Sequence, residues 1–334
     1  MRYKGSQIAM AIAAVGVIAA ATTACGDSGS SSDTFLGFSS PTMAQEGGKF
    51  TADAVNEAAK SLGWNEQSYD ANLSADTQVS NIQTMVDRPA TAIAAWALDE
   101  GAIAGAYSRA ESADIPVVGV NSGGTGVESI VWTEATTCED GGVVAQVAQL
   151  FATAKPGGNI AIMSGPPAPS IVSMTECFSN AAKALGLNII TQQDNTADTS
   201  SGASVLAQDM LSAHPDIDGF WAYNDATALG IASVLDAAGK KAYSVTNPTG
   251  IVVTGSNGDS SAIKAVQNGT ITATVDTDPV CTGWTIVAAT RDSIDGKAAD
   301  SYVVKSNIVD STTIADYVAP ENKTCSLDDL PLVE

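Results

Sequence analysis

From Thr34 onward, short uninterrupted apolar runs alternate with segments of helical period, and this alternation constrains the fold more than any other feature. Residues 92–97 and 116–120 are continuous apolar runs, the pattern of strands buried on both faces. Residues 34–39 read as a further strand. Phe50, Ala54, Val55, Ala58, Ala59 and Leu62 share one helical face, and Gly63 supplies a left-handed stop. A second helix carries Val79, Ile82, Met85 and Val86, and a third spans about 100–113. The pattern then restarts, with strands expected at 159–163, 188–191, 219–222 and 251–254. Helices are expected at 170–185, 202–213 and 225–238, with Gly186 and Gly239 as stops. The two runs, 34–121 and 158–257, have similar order. The expected fold class is therefore α/β, with two doubly wound parallel-sheet lobes.

The first residues do not belong to that pattern. Arg2 and Lys4 precede an apolar stretch over residues 8–24 that reads as an export signal and is short for a membrane span. Thr22-Thr23-Ala24-Cys25 resembles a bacterial lipobox, in which Cys25 is lipidated and becomes the first mature residue. Residues 26–33, Gly-Asp-Ser-Gly-Ser-Ser-Ser-Asp, form a flexible tether. Two of the 15 basic residues and none of the 37 acidic ones lie in residues 1–24, so the remaining 310 residues carry a net charge of −24. Such a surface repels nucleic acid. Four cysteines remain, Cys138, Cys177, Cys281 and Cys325, with three possible pairings. There is no Cys-x-x-Cys spacing. The single histidine, His214, sits in Ala213-His214-Pro215-Asp216, a helix end with a proline stop. No metal and no cofactor are expected.

In open parallel sheets ligands bind beyond the carboxyl ends of the strands. That rule singles out the turns at 39–48, 96–99, 121–124, 132–133, 164–170, 223–225, 256–259 and 276–279. Several resemble the sugar-type, ribose-binding-like branch of type I periplasmic solute-binding proteins. Asn224-Asp225-Ala226-Thr227-Ala228-Leu229-Gly230 matches that family's Asn-Asp-x-x-Ala-x-Gly pattern. Residues 113–121, Ala-Asp-Ile-Pro-Val-Val-Gly-Val-Asn, Ala213-His214-Pro215-Asp216, and residues 253–258, Val-Thr-Gly-Ser-Asn-Gly, also fit. The resemblance spans about residues 34–305. It implies a hinge of three crossovers, near residues 133–134, 276–279 and 304–306. The first lobe would be 34–133 plus 278–305, the second 134–277, and 306–334 a C-terminal tail. It also implies a monomer that delivers a small ligand to an ABC permease and is held at the bacterial cell membrane by a lipid on Cys25. Related DNA-binding regulators carry a DNA-binding head where this chain carries an export signal.

Sugar recognition needs rings over C–H faces and fixed amides or carboxylates on hydroxyls. Trp96 and Trp132 suit the first task, and Asn121, Asn224, Asp225 and Asn257 the second. By the resemblance, Asn121, Asn224 and Asn257 occupy ligand-contacting places. Gln45 of the first loop and Asp276 at a crossover complete the candidate set. Structural roles stand beside these: Asn224 or Asp225 as a helix cap, Trp96 and Trp132 as interlobe core, Asn257-Gly258 as a turn pair. Trp64 and Trp284 read as packing. Only Arg88, Arg109 and Arg291 follow the export signal, and none lies at a strand tip, so the arginine clamp of the family is absent. A neutral sugar or polyol is the favoured ligand, and a cationic or nucleoside-like one, held over Trp96 and Trp132 beside Asp225 and Asp276, is the alternative. No Gly-x-Ser-x-Gly or His-Glu-x-x-His occurs. The pair Asp276 and Asp278 is the one glycosidase-like feature, and a hinge role suits it better, so a binder and not an enzyme is expected. A sensor that signals through the same closure is the other class. Disulfides within lobes leave a hinge free, which favours Cys138–Cys177 and Cys281–Cys325.

Overall fold

The computed structural model describes residues 34–333. The export signal, Cys25 and the tether lie outside the described residues. The first sheet is built from β1 (Phe35–Ser40), β2 (Asn65–Asp70), β3 (Ala92–Ala95), β4 (Val117–Val120) and β5 (Val127–Thr133), separated by α1 (Glu46–Ser61), α2 (Ala75–Asp87) and α3 (Glu100–Ser112). The chain then passes through a 3-10 turn at Glu134–Thr136 into α4 (Val143–Ala154) and a second set of units. These are β6 (Asn159–Ser164), α5 (Pro169–Ala184), β7 (Asn188–Asp194), α6 (Ser200–Ala213), β8 (Gly219–Ala222), α7 (Asp225–Ala237), β9 (Val252–Asn257), α8 (Ser260–Gln267) and β10 (Ala273–Asp276). It returns to the first sheet with α9 (Pro279–Ile294) and β11 (Ser301–Val304), then crosses once more to β12 (Asn307–Asp310).

The sheet orders are β11-β5-β4-β3-β1-β2 and β12-β10-β9-β8-β6-β7. All pairs are parallel except β10–β12. Each lobe is thus doubly wound, and the chain passes between the sheets three times. β3, β4 and β8 are buried at every position, because helices cover both faces of each sheet and leave four apolar clusters, two per lobe. Several helices start on side-chain caps: Ser74 accepts from the Thr77 N–H (3.2 Å), Asp99 from Ala102 (2.9 Å), Thr199 from Gly202 (3.1 Å) and Asn224 from Thr227 (2.9 Å). Each such cap stabilises by about 1 kcal/mol. Gly230 of the Asn-Asp motif has a packing reason: a Cβ there would lie 2.3 Å from the Ser200 carbonyl oxygen, so only glycine lets α7 pack against the start of α6.

Two disulfides are present. Cys138–Cys177 joins the segment after the first crossover to α5, and Cys281–Cys325 joins α9 to the C-terminal segment, with Cα–Cα distances of 5.2 and 5.5 Å. The C-terminal segment is more than a tail. Residues 307–310 supply the antiparallel edge strand of the second sheet, the Tyr317 hydroxyl donates to the Gly258 carbonyl (3.2 Å), and the Val333 N–H donates to Val303 in the first sheet (2.8 Å). Its Lys323 reaches the middle crossover, where Nζ lies 2.8 Å from Asp276 and 3.1 Å from Asp278. Glu134 ties the other two crossovers: one carboxylate oxygen accepts from the Val143 N–H (2.9 Å), the other from the Ser306 N–H (3.0 Å).

Candidate functional site

The strand tips of the two sheets face each other across a cavity of about 170 Å³. This is smaller than the roughly 300–1,000 Å³ of sites for drug-sized ligands. Gln45, Trp96, Leu73 and Thr42 line it from the first lobe, and Asp198, Tyr223, Asn224, Asn257, Ile171 and Met174 from the second. Direct hydrogen bonds bridge the lobes. The Gln45 amide donates to Asp198 (2.6 Å), the Trp96 indole N–H approaches the Ser170 hydroxyl (3.5 Å), and Glu46 accepts from both the N–H and the hydroxyl of Ser260 (3.2 and 2.9 Å). The structure therefore has a closed cleft.

Asp198 is the centre of the polar side. It sits in the loop between β7 and α6, in the left-handed region with φ of 51°. Its carboxylate accepts from Gln45, from the Asn224 amide (2.7 Å) and from the Tyr223 hydroxyl. Burial, and then the neighbouring Asp198 charge, hold the Tyr223 phenol well above its ordinary range, so it stays a donor. At the cleft edge Asp259 is pushed up to about 6, first by burial and then by Glu46 and Asp198.

The cavity brings together Gln45, Trp96, Asn224 and Asn257. Asn224 serves two ends at once: its oxygen caps α7 while its amide N–H holds Asp198. Four other expectations need correction. Asn121 is fully buried beneath the first crossover, and its oxygen accepts from the Thr133 N–H (2.7 Å) and the Thr136 hydroxyl (2.9 Å), so it shapes the hinge. Asp225 is fully buried and accepts from the Thr274 hydroxyl (2.5 Å) and the Asp259 N–H (2.8 Å), tying α7 to the turn after β9 and to β10. Burial, then Asp259, raise its pKa well above the carboxylate range. Asp276 faces Lys323 on the other side of the hinge. Trp132 lies half-buried on β5, paired with Val303 of β11, and does not line the cavity. Strand ends point in several directions, and proximity to a tip does not decide which side chain enters the cleft.

Asp198 and Tyr223 escaped as individual candidates. Tyr223 stood within a recognised turn. Asp198 did not, because the strand expected at 188–191 stops short of β7, which continues to Asp194. The usable signal was Thr199, a cap residue opening an apolar-periodic helix, which marks residues 195–199 as a strand-to-helix turn on the ligand side. Among the described residues no group of three or more His, Cys, Asp or Glu is placed to hold a metal ion.

Comparison with known proteins gives this architecture its place. The model of the periplasmic binding protein domain matches residues 36–298, most of the chain. The chain belongs to the periplasmic binding protein family. Members of this family are transport components that bind solutes and are not enzymes. Relatives of this periplasmic binding protein include the ribose import binding protein RbsB of Bacillus subtilis (strain 168), 27% identical over 248 residues, which span 73% of this chain and 76% of that protein. The xylitol-binding protein of Mycolicibacterium smegmatis is 26% identical over 318 residues, spanning 85% and 86%. An ABC transporter periplasmic solute binding protein from Actinobacillus succinogenes 130z, solved with bound D-allose, superposes with a TM-score of 0.75 at 20% identity, over 85% of this chain and 100% of that one. At that identity the likeness speaks for the fold.

Proposed function

We propose that this protein captures a small neutral sugar or polyol between its lobes and presents the closed form to an ABC permease. The observation that carries this reading is the lining of the cleft. Side chains from both lobes contribute, the polar ones are amides and hydroxyls, and the only charged group among them is Asp198, already accepting three hydrogen bonds. No lysine or arginine lines the cavity, so a carboxylate or phosphate would meet one carboxylate and no cation. A cationic or nucleoside-like ligand is less suited, since Trp132 is absent from the cavity and the Asp198 charge is committed. The relatives named for ribose and for xylitol support the same ligand class.

Ligand contacts to both lobes favour closure by their differential affinity for the closed form. In this reading the protein is extracytoplasmic and acts as a monomer, and the export signal and the lipobox-like residues at Cys25 support a lipid tether to the cell membrane. Calorimetric titration with neutral sugars, polyols and sugar acids tests the reading. Saturable binding of a neutral member supports it. Binding confined to organic anions, or to amines, overturns it.

A further inference from the structure

We infer that the cleft selects a hydroxyl-poor ligand, a deoxysugar or deoxypolyol, over the fully hydroxylated hexose. This rests on the reading of the cleft as a neutral sugar or polyol site and narrows it. The argument starts from how the polar side chains are already used. Tyr223, Asn224 and the Gln45 amide N–H are all directed at Asp198. The Thr133 and Thr136 hydroxyls donate to Asn121 beneath the crossover, at 3.2 and 2.9 Å, and the Ser40 hydroxyl donates to the Thr42 carbonyl at 3.0 Å. What remains is the Asn257 amide, the Ser256 and Thr277 hydroxyls and the carbonyl oxygen of Gln45, none with another side-chain hydrogen bond among the described residues, together with the Thr42 and Ser170 hydroxyls, which accept from the Ala44 N–H and the Trp96 indole and donate to no described group.

Most of the rest of the wall is apolar. Ile171, Met174 and Ala168 of the α5 end face the cavity from one lobe, and Leu73, Leu98 and Pro41 from the other. Leu73 stands at the cleft in a left-handed conformation with φ of 57° and remains 49% exposed. A side chain of that size so exposed next to a binding cavity is ready to cover a C–H or methyl face. A hexopyranose bears a hydroxyl on almost every ring carbon, and each needs partners for one donor and two lone pairs. Against Ile171 and Met174 such a hydroxyl finds none, which costs about tenfold or more in affinity. A methyl or methylene in its place loses nothing and adds contact.

The test is calorimetric titration of the full chain with matched pairs: D-fucose against D-galactose, L-rhamnose against L-mannose, and 2-deoxy-D-ribose against D-ribose. The hydroxyl-poor member of at least one pair binds tenfold tighter or better. Equal or tighter binding of the hydroxyl-rich members overturns the inference and leaves the sugar-or-polyol reading standing. No binding by any of these or by other neutral sugars and polyols overturns both. Ile171→Thr adds a hydroxyl to the apolar wall, with the isosteric Ile171→Val as the control for lost volume, and it narrows the preference at least threefold relative to that control. A ratio no different from that of the control, with the melting temperature preserved, overturns the role given to the wall.

Discussion

Replacing Lys323 by methionine isolates the contribution of the C-terminal segment to the hinge. Lys323 is only 13% exposed, and its partners Asp276 and Asp278 are 6% and 10% exposed. Methionine keeps most of the stem volume and removes the charge, leaving two buried carboxylates side by side. Breaking a buried pair in this way costs about 3–5 kcal/mol. The solvent reaching the lysine reduces this, so we expect a loss near 3 kcal/mol at pH 7.5. The loss depends on pH in a defined direction. Burial already raises the Asp276 pKa, and Lys323 is the main influence pulling it down. Without the lysine it rises further, so as pH falls the folded variant takes up a proton before the unfolded chain does. Folded-state protonation of this kind stabilises as pH falls. The deficit of the variant therefore shrinks between pH 7.5 and pH 5, and Asp276→Asn combined with Lys323→Met recovers part of it at pH 7.5. Urea unfolding of the wild type and both variants at the two pH values measures this. A loss below about 0.5 kcal/mol at pH 7.5, or the same loss at both pH values, refutes the reasoning.

Asp198→Ala removes a charged acceptor that bridges the lobes, worth roughly 1.5–3 kcal/mol. The unliganded protein then shifts toward an open cleft, seen as a larger radius of gyration in small-angle scattering, and ligand affinity falls at least tenfold. No change in either would dismiss the latch. Removing the Cys281–Cys325 bridge by serine substitution frees a loop of sequence separation 44 and lowers stability by about 4 kcal/mol in the chain-entropy model, read from the denaturation midpoint with and without reductant; a midpoint unmoved by the substitution counts against the strap. Asp259 faces Glu46 of α1, Asp198 of the β7–α6 loop and Asp225 of α7. Its pKa, raised to about 6 in the closed form, means that closure is favoured below that value and loses the contribution as pH rises through it. Affinity should therefore be higher at pH 5.5 than at pH 7.5, and Asp259→Asn should flatten that profile; a wild-type profile that is already flat sinks the assignment.

Strands in the middle of each sheet were legible because they are buried on both faces and their apolar runs have no gaps, as in Ala92–Ala95 and Gly219–Ala222. Helix ends were legible because glycine stops have a conformational cause: Gly63, Gly186 and Gly239 all have positive φ. Edge strands were not. β2 reads Asn-Glu-Gln-Ser-Tyr-Asp, and no residue in it is fully buried. It pairs only with β1 and presents side chains to water, so its sequence carries no apolar signal and the backbone ladder alone defines it. The polar second half of β7 is silent for the same reason, since β7 is the edge of the other sheet.

The same physics explains why the candidate site was half legible. Asn224 and Asn257 stand where a strand ends beneath a helix, and the rule that ligands gather at carboxyl ends finds such places. The rule locates turns, and a polar side chain in a turn can face the ligand or the protein. Asn121 and Asp225 took the second course because each is completely buried: the Asn121 oxygen and the Asp225 carboxylate are held by protein donors, although the Asn121 amide nitrogen has no hydrogen-bond partner. Asn121 met the Thr133 and Thr136 donors of the first crossover, and Asp225 met Thr274 on β10, forty-nine residues away in sequence. Neither partner is visible from spacing along the chain. Asp276 drew its partner from almost as far, since Lys323, 47 residues on, reaches it only because the C-terminal segment crosses both lobes. Charges that the sequence offered to a ligand are thus spent on holding the crossovers in place, and the cleft retains amides, hydroxyls and an apolar wall. That division of polar groups ties the neutral, hydroxyl-poor ligand to the architecture of the hinge.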